Sequence, residues 1–383
     1  ELKDYRGWLK FLRYEAQTAA ARHGADSKDA SEKIARLKDW LQRIDADPQL
    51  LGKLRGVQEW AYESSVDDSG QPLKIIIPTD YNPKKPTALS VYMHGATGDH
   101  MSHTTGWQAH TGSFEAAVLG RSRSGWYLAL SQADVLAVID YIQTHWNIDE
   151  NRIQIMGGSM GGGGTLTLGS RFPHLFASGQ VTCGYIGQNQ TNNLLTFPIY
   201  AMHSSDDPVV PPILIRGAMS DLRRLGGQAI FDETNGYGHA VWGYAEGNKR
   251  AAEWAQHQVR PDSRIIRHLD FTALDGSAMR CWWAEIAEWG PEPRPARFIA
   301  RASENNLLFV ELDNVARLRL RVTESPFDSK RPLRVSVNGA VPREIPAPLP
   351  SEIVVDGPNA VGGDAPVRLH PPGGPIQAYD GDP

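Results

Sequence analysis

The run Gly157-Gly158-Ser159-Met160-Gly161-Gly162-Gly163-Gly164 constrains this chain more than any other feature. It lies between a predicted strand, Arg152–Met156, and a predicted helix through Leu166 and Leu168. A strand that passes straight into a helix strains the residue at the turn and leaves its neighbours space only for very small side chains. The serine hydroxyl then stands exposed at the carboxyl end of the strand, and Gly162, Gly163 and Gly164 are expected to let the helix start close to the sheet and to leave room above the serine. Glycine runs also cradle phosphates, but this one lacks the lysine of a P-loop. It also lacks the G-x-G-x-x-G spacing with a later acidic ribose partner.

The elements around this turn predict three regions: helical extension 1–56, catalytic core 57–260, and linker plus β-rich accessory domain 261–383. In the first, Trp8, Leu9, Phe11, Leu12 and Ala16 recur at helical spacing, as do Ile34, Leu37, Leu41 and Ile44, with Ser27 or Asp29 as cap. This hairpin reads as a brace for the core, with a lid or cleft wall as the alternative. In the core, strands at Gln58–Ser64, Leu73–Pro78, Leu89–Met93, Arg152–Met156, Phe197–Met202 and Gln228–Phe231 alternate in part with helices. One helix starts at Ser131, and another covers Val241–Gln256. Such alternation predicts a mostly parallel sheet covered on both faces. Beyond Pro261, strands such as Arg297–Ala302, Leu307–Leu312, Leu318–Val322 and Leu333–Val337 predict a small β-sandwich, followed by a Pro/Gly-rich end at Pro371–Pro383. No fixed-period repeat is present, which excludes a propeller.

A serine hydroxyl is a poor nucleophile near neutral pH, so it needs a base beside it and a carboxylate to orient that base. With this kind of turn the partners come later in the chain, acid before histidine. The strand ending at Met202 runs into His203-Ser204-Ser205-Asp206-Asp207-Pro208-Val209-Val210-Pro211, and Gly236-Tyr237-Gly238-His239-Ala240 follows the next strand. Asp207 is the preferred acid, because the residues after it fix its backbone, while Asp206 is read as bonding the turn. His239 is the base, and His203 is read as structural. For the oxyanion, one donor is the N–H of Met160. The second is placed at Ala96 or Thr97 in the loop His94-Gly95-Ala96-Thr97-Gly98. His94 is read as organising that loop. His100, His103 and His110 show H-x-x-H spacing without the carboxylates of a metal site, and no metal or other cofactor is expected.

The motifs HGATG, GGSMGG, HSSDDPVVP and GYGHAVW resemble the esterase branch of the α/β hydrolases. That branch includes feruloyl esterases, acetyl xylan esterases and polyhydroxyalkanoate depolymerases, and many relatives are labelled prolyl-oligopeptidase-like catalytic domains. The likeness covers about residues 57–257. It implies an α/β-hydrolase core carrying the N-terminal helices and C-terminal sandwich as additions, with Ser159, Asp207 and His239 as the triad. Trp242 matches an aromatic that borders the acyl or sugar pocket in such esterases. Ser204 and Thr97 replace glycines often found in relatives, and both changes are expected to reshape the acyl pocket.

Composition excludes other classes. The net charge of −5 and pI near 6.2 provide no basic footprint for nucleic acid. No apolar run approaches the roughly 18 residues of a membrane span. Two cysteines, Cys183 and Cys281, make neither a disulfide framework nor a zinc set and leave a single bridge open. The chain starts at Glu1, read as processed or trimmed, and a secreted or periplasmic location is expected with the cytoplasm left open. Trp107, Trp126, Tyr127 and Trp242 are read as aromatics placed to stack on a phenolic or sugar ring. Arg121 and Arg123 are read as solvated loop residues. The expected activity is hydrolysis of small or polysaccharide-linked carboxylic esters. The alternatives are a prolyl-oligopeptidase-like peptidase and a glycan-binding protein with an inactive core.

Overall fold

The computed structural model describes residues 2–102, 112–186, 190–357 and 367–368. Trp107, His103, His110 and the Pro371–Pro383 end therefore lie outside the described residues. The chain opens with α1 (Arg6–His23), α2 (Lys28–Ala46) and a short α3 (Leu50–Lys53). Ser27 caps α2, its hydroxyl accepting from the Ala30 N–H at 3.2 Å. The buried stripe of α1, led by Trp8, Phe11 and Leu12, docks on the first two strands of the sheet. Trp8 stacks on Trp60 at 5.2 Å, and Trp40 packs edge-on against both. The hairpin therefore braces the edge of the sheet.

The core strands are β1 (Gly56–Glu63), β2 (Gly70–Ile77), β3 (Thr87–Met93), β4 (Ser113–Val118), β5 (Ile148–Gly158), β6 (Ser178–Thr182), β7 (Ile199–Ser204) and β8 (Ala229–Thr234). The helices among them are α4 (Leu130–His145), α5 (Met160–Arg171), α6 (Pro212–Arg224) and α7 (Ala245–Gln256). The sheet order is β1-β2-β4-β3-β5-β6-β7-β8. Strand β2 runs antiparallel to both neighbours, and all pairings from β4 through β8 are parallel. Strands β4 and β6 and helix α6 have no counterpart in the sequence-based expectation. The closing helix also begins at Ala245 rather than Val241, because residues 241–243 form a separate 3₁₀ turn.

The C-terminal part is a sandwich of two five-stranded sheets with its own core. Its strands are β9 (His268–Ala273), β10 (Arg280–Cys281), β11 (Ala284–Trp289), β12 (Ala296–Ala302), β13 (Leu307–Asp313), β14 (Val315–Arg321), β15 (Leu333–Val337), β16 (Arg343–Ile345), β17 (Glu352–Asp356) and β18 (Val367–Arg368). It is pinned to the part built on the eight-stranded sheet near the carboxyl end of α5. Asn193 accepts from the Thr272 N–H at 2.7 Å and donates to the Thr272 carbonyl at 2.9 Å, and Arg171 pairs with Asp275. The twelve residues of α5 put this seam about 18 Å along the helix from Ser159. Both cysteines are free and buried, which removes the option of a bridge.

Candidate active site

Ser159 caps the join of β5 and α5 with φ +54° and ψ −119°, a conformation most side chains avoid. The sterics explain the glycines. A Cβ on Gly161 would lie 1.9 Å from the Met93 carbonyl oxygen of β3, and one on Gly164 would lie 2.5 Å from the Tyr127 ring. The run therefore lets the helix start against the sheet, as expected, while the room expected at Gly164 is filled by Tyr127. It lets β3 and Tyr127 close onto the helix, and Tyr127 is buried there with its hydroxyl donating to the His94 carbonyl at 3.1 Å. Tyr127 is thus a packing residue, in contrast to the stacking role expected for it.

Three side chains form one hydrogen-bonded line. Ser159 Oγ lies 2.9 Å from His239 Nε2, and His239 Nδ1 lies 2.8 Å from Asp207 Oδ2. The Asp207 side chain is fully buried, and its Oδ1 accepts from the N–H groups of Val209 at 2.8 Å and Val210 at 3.0 Å. Burial works to raise the Asp207 pKa. His239 and the two N–H groups outweigh burial and hold it below the usual carboxylate value. A carboxylate ionised in this way fixes the imidazole with its proton on Nδ1, leaving Nε2 free to accept the serine proton.

Asp206 does different work. Its Oδ1 accepts from the N–H groups of Gly236 at 3.0 Å and Gly238 at 3.2 Å, and also from the Ser204 hydroxyl. Ser204 is fully buried and its oxygen accepts from the Tyr237 N–H at 3.3 Å. Ser204, expected to reshape an acyl pocket, instead spends its hydroxyl on tying the acid loop to the histidine loop.

Met160 opens α5, where the N–H groups of the first turn have no partner within the helix. Gly95 runs against the nucleophile, since a Cβ there would lie 3.6 Å from the Ser159 Cβ. Thr97 is excluded as the second donor because its N–H goes to the Arg123 carbonyl at 2.9 Å, which leaves Ala96 of the pair considered. His94 organises the loop, its Nδ1 2.7 Å from the Gly95 carbonyl and its Nε2 2.9 Å from that of Leu119. His100 is engaged by Glu59 at 3.1 Å, and Arg36 of α2 grips the same carboxylate at 2.7 Å. Arg121 and Arg123 are paired with Asp67 and Asp99. Trp242 is half exposed and stands edge-on to His239 at 5.8 Å. Trp126, also half exposed, makes an edge contact with Tyr185 at 6.4 Å.

Cys183, which the sequence singles out only by count, sits beside this line. Its Sγ, Asp207 and His239 are the one group of donor atoms among the described residues close enough to hold a metal ion, all within 4.8 Å. However, His239 and Asp207 are spent on each other, and burial pushes the thiol up to about 12. Cys183 is thus a neutral packing group.

The strand order, the antiparallel second strand and the strained serine between β5 and α5 decide the architecture. This is the α/β-hydrolase fold. No protein-family model and no curated protein matches the sequence. Solved structures with this architecture match about half of the chain. A thermostable esterase is 26% identical over 53% of this chain and 63% of its own, with a TM-score of 0.48. A CE1 ferulic acid esterase from the anaerobic fungus Anaeromyces mucronatus is 14% identical over 53% of this chain and 90% of its own, at TM-score 0.44. An acylaminoacyl peptidase from Pyrococcus horikoshii is 16% identical over 56% of this chain and 44% of its own, at TM-score 0.43. The shared region spans less than two thirds of the thermostable esterase.

Proposed function

We propose that this α/β-hydrolase is a serine carboxylic-ester hydrolase acting through an acyl-enzyme. The observation that carries the reading is the unbroken line from Ser159 Oγ through His239 to the buried Asp207 carboxylate. Ser159 attacks the ester carbonyl while His239 Nε2 takes its proton, and Asp207 stabilises the imidazolium that forms. The N–H groups of Met160 and Ala96 receive the developing oxyanion. His239 then protonates the leaving alcohol, and a water activated by the same imidazole releases the acid and frees Ser159. The residues supply a nucleophile, a base and oxyanion donors, so the cycle closes without a further group.

Trp242 beside the imidazole, with the half-exposed Trp126 against Tyr185, favours an ester with a flat phenolic or sugar ring, such as a feruloyl or acetylated polysaccharide ester. The test is turnover of p-nitrophenyl acetate, methyl ferulate and a prolyl anilide by the protein and by Ser159→Ala. Ester cleavage that disappears with Ser159→Ala and a silent anilide is the expected result. Anilide cleavage faster than ester cleavage would convert the reading to a peptidase. Ester cleavage that survives Ser159→Ala would remove the nucleophile from it.

A further inference from the structure

His203 ends β7 four residues before Asp207, and its side chain is fully buried. Its Nε2 lies 3.0 Å from the Val210 carbonyl oxygen and 3.1 Å from Asp207 Oδ2, the same oxygen that holds His239. A ring nitrogen facing two oxygens and no donor carries the proton. Its Nδ1 is buried and has no partner among the described residues, so no acceptor among them competes for that tautomer. The turn beyond is gripped twice. Val209 and Val210 give their N–H groups to Asp207 Oδ1, and His203 takes hold of the Val210 carbonyl. Cys183 is the other polar side chain against the carboxylate, and its neutral thiol adds no charge.

We propose that His203 is a positioning residue for the catalytic carboxylate: its Nε2–H locks the 207–210 turn and flanks Oδ2, so that Asp207 presents one fixed oxygen to His239. The proposal rests on the esterase reading above. A buried histidine kept only for packing has no need to direct its proton at the turn that holds the triad acid, with the same N–H edge beside Oδ2. Without this donor, the Val210 carbonyl loses its partner in a buried site, and the polar N–H edge beside Oδ2 is gone. The carboxylate then relaxes toward other contacts, and His239 loses its orientation.

The variants are His203→Leu, which removes the donor, His203→Asn, whose amide falls short of the Nε2 position, and His203→Gln, whose amide N–H reaches it. With p-nitrophenyl acetate, Leu and Asn are expected to lower kcat about 100-fold, as a misplacement of about 1 Å in the machinery does. KM stays within about twofold, and Gln restores most of kcat. If His203→Leu fails to fold, the Asn and Gln pair carries the comparison. A second readout does not need turnover: the low-field proton resonance of His239 Nδ1–H, identified by its loss in Asp207→Ala. This signal should move or vanish in His203→Asn and stay in place in His203→Gln. If the parent protein shows no Ser159-dependent turnover, the esterase reading fails and the resonance still judges His203. Folded His203→Asn with wild-type kcat, or with an unmoved resonance, overturns the proposal and leaves His203 a packing residue.

Discussion

Replacing Asp207 by Asn keeps the shape of the side chain and changes what it asks of His239. The carboxylate Oδ2 accepts the Nδ1 proton at 2.8 Å, and Oδ1 is already held by Val209 and Val210. An Asn that keeps its oxygen on those two N–H groups must turn its NH2 toward His239 Nδ1. The imidazole then moves its proton to Nε2 and presents an N–H to Ser159 Oγ, where a lone pair is needed. Loss of the tautomer in such a triad costs about 10⁴ in kcat, or about 5.4 kcal/mol of transition-state stabilisation. Asp206→Asn is the matched control. Its Oδ1 still accepts from Gly236 and Gly238, so the histidine loop stays tied and kcat is expected within about tenfold of the parent. Steady-state hydrolysis of p-nitrophenyl acetate, with active sites counted by burst amplitude, measures both. The reasoning is refuted if Asp206→Asn loses 10³-fold or more while Asp207→Asn stays within tenfold.

Gly161→Ala should yield little folded protein, because its Cβ would sit 1.9 Å from the Met93 carbonyl, and circular dichroism with soluble yield checks this. Trp8→Ala removes a fully buried ring from the brace on the sheet edge and should cost about 3–5 kcal/mol in urea unfolding with kcat within about twofold; a large kcat loss in folded protein would make the hairpin part of the cleft. Trp242→Ala should raise KM for methyl ferulate about fivefold to tenfold and leave that for p-nitrophenyl acetate little changed, the loss being about one aromatic contact. His174 is pushed down to about 3 by burial and by Arg280, Arg260 and Arg321. Its folded value lies below the unfolded one, so the unfolded chain binds the extra proton between roughly pH 6.5 and 3 and stability falls as pH drops through that window. Urea unfolding should show about 2 kcal/mol lost from pH 7 to pH 5 through this group, a loss that His174→Gln removes.

The line from Ser159 to Asp207 is legible in sequence because each member sits on a short segment whose own chemistry announces it. The tight turn needs glycines, and the acid and histidine each follow a strand. Strands β4 and β6 are not legible for an equally local reason. Ser113–Val118 carries the buried Glu115 and two alanines, and Ser178–Thr182 is half polar with a glycine pressed against Phe197. Neither has the β-branched run that marks a buried strand; their places are set by neighbours on both sides.

The misread loop residues share one cause. Thr97 is a plausible oxyanion donor by position, and Tyr127 a plausible stacking ring by type. Yet the loop after β4, which carries Tyr127 itself, folds back onto the Thr97 loop and the start of α5. The carbonyl of Arg123 captures the Thr97 N–H, and the Tyr127 ring settles in the hollow that Gly164 and Gly120 leave. Glycine content read as freedom or open space is, at these positions, a measure of how closely another segment approaches. Ser204 is likewise taken up by its neighbours and spends its hydroxyl on Asp206 and the Tyr237 N–H. The two loops that bring acid and base together are thus fastened by Asp206 and Ser204, neither of which touches the serine. The precision of the site therefore depends on side chains outside the triad, and a variant at Ser204 should move kcat before it moves KM.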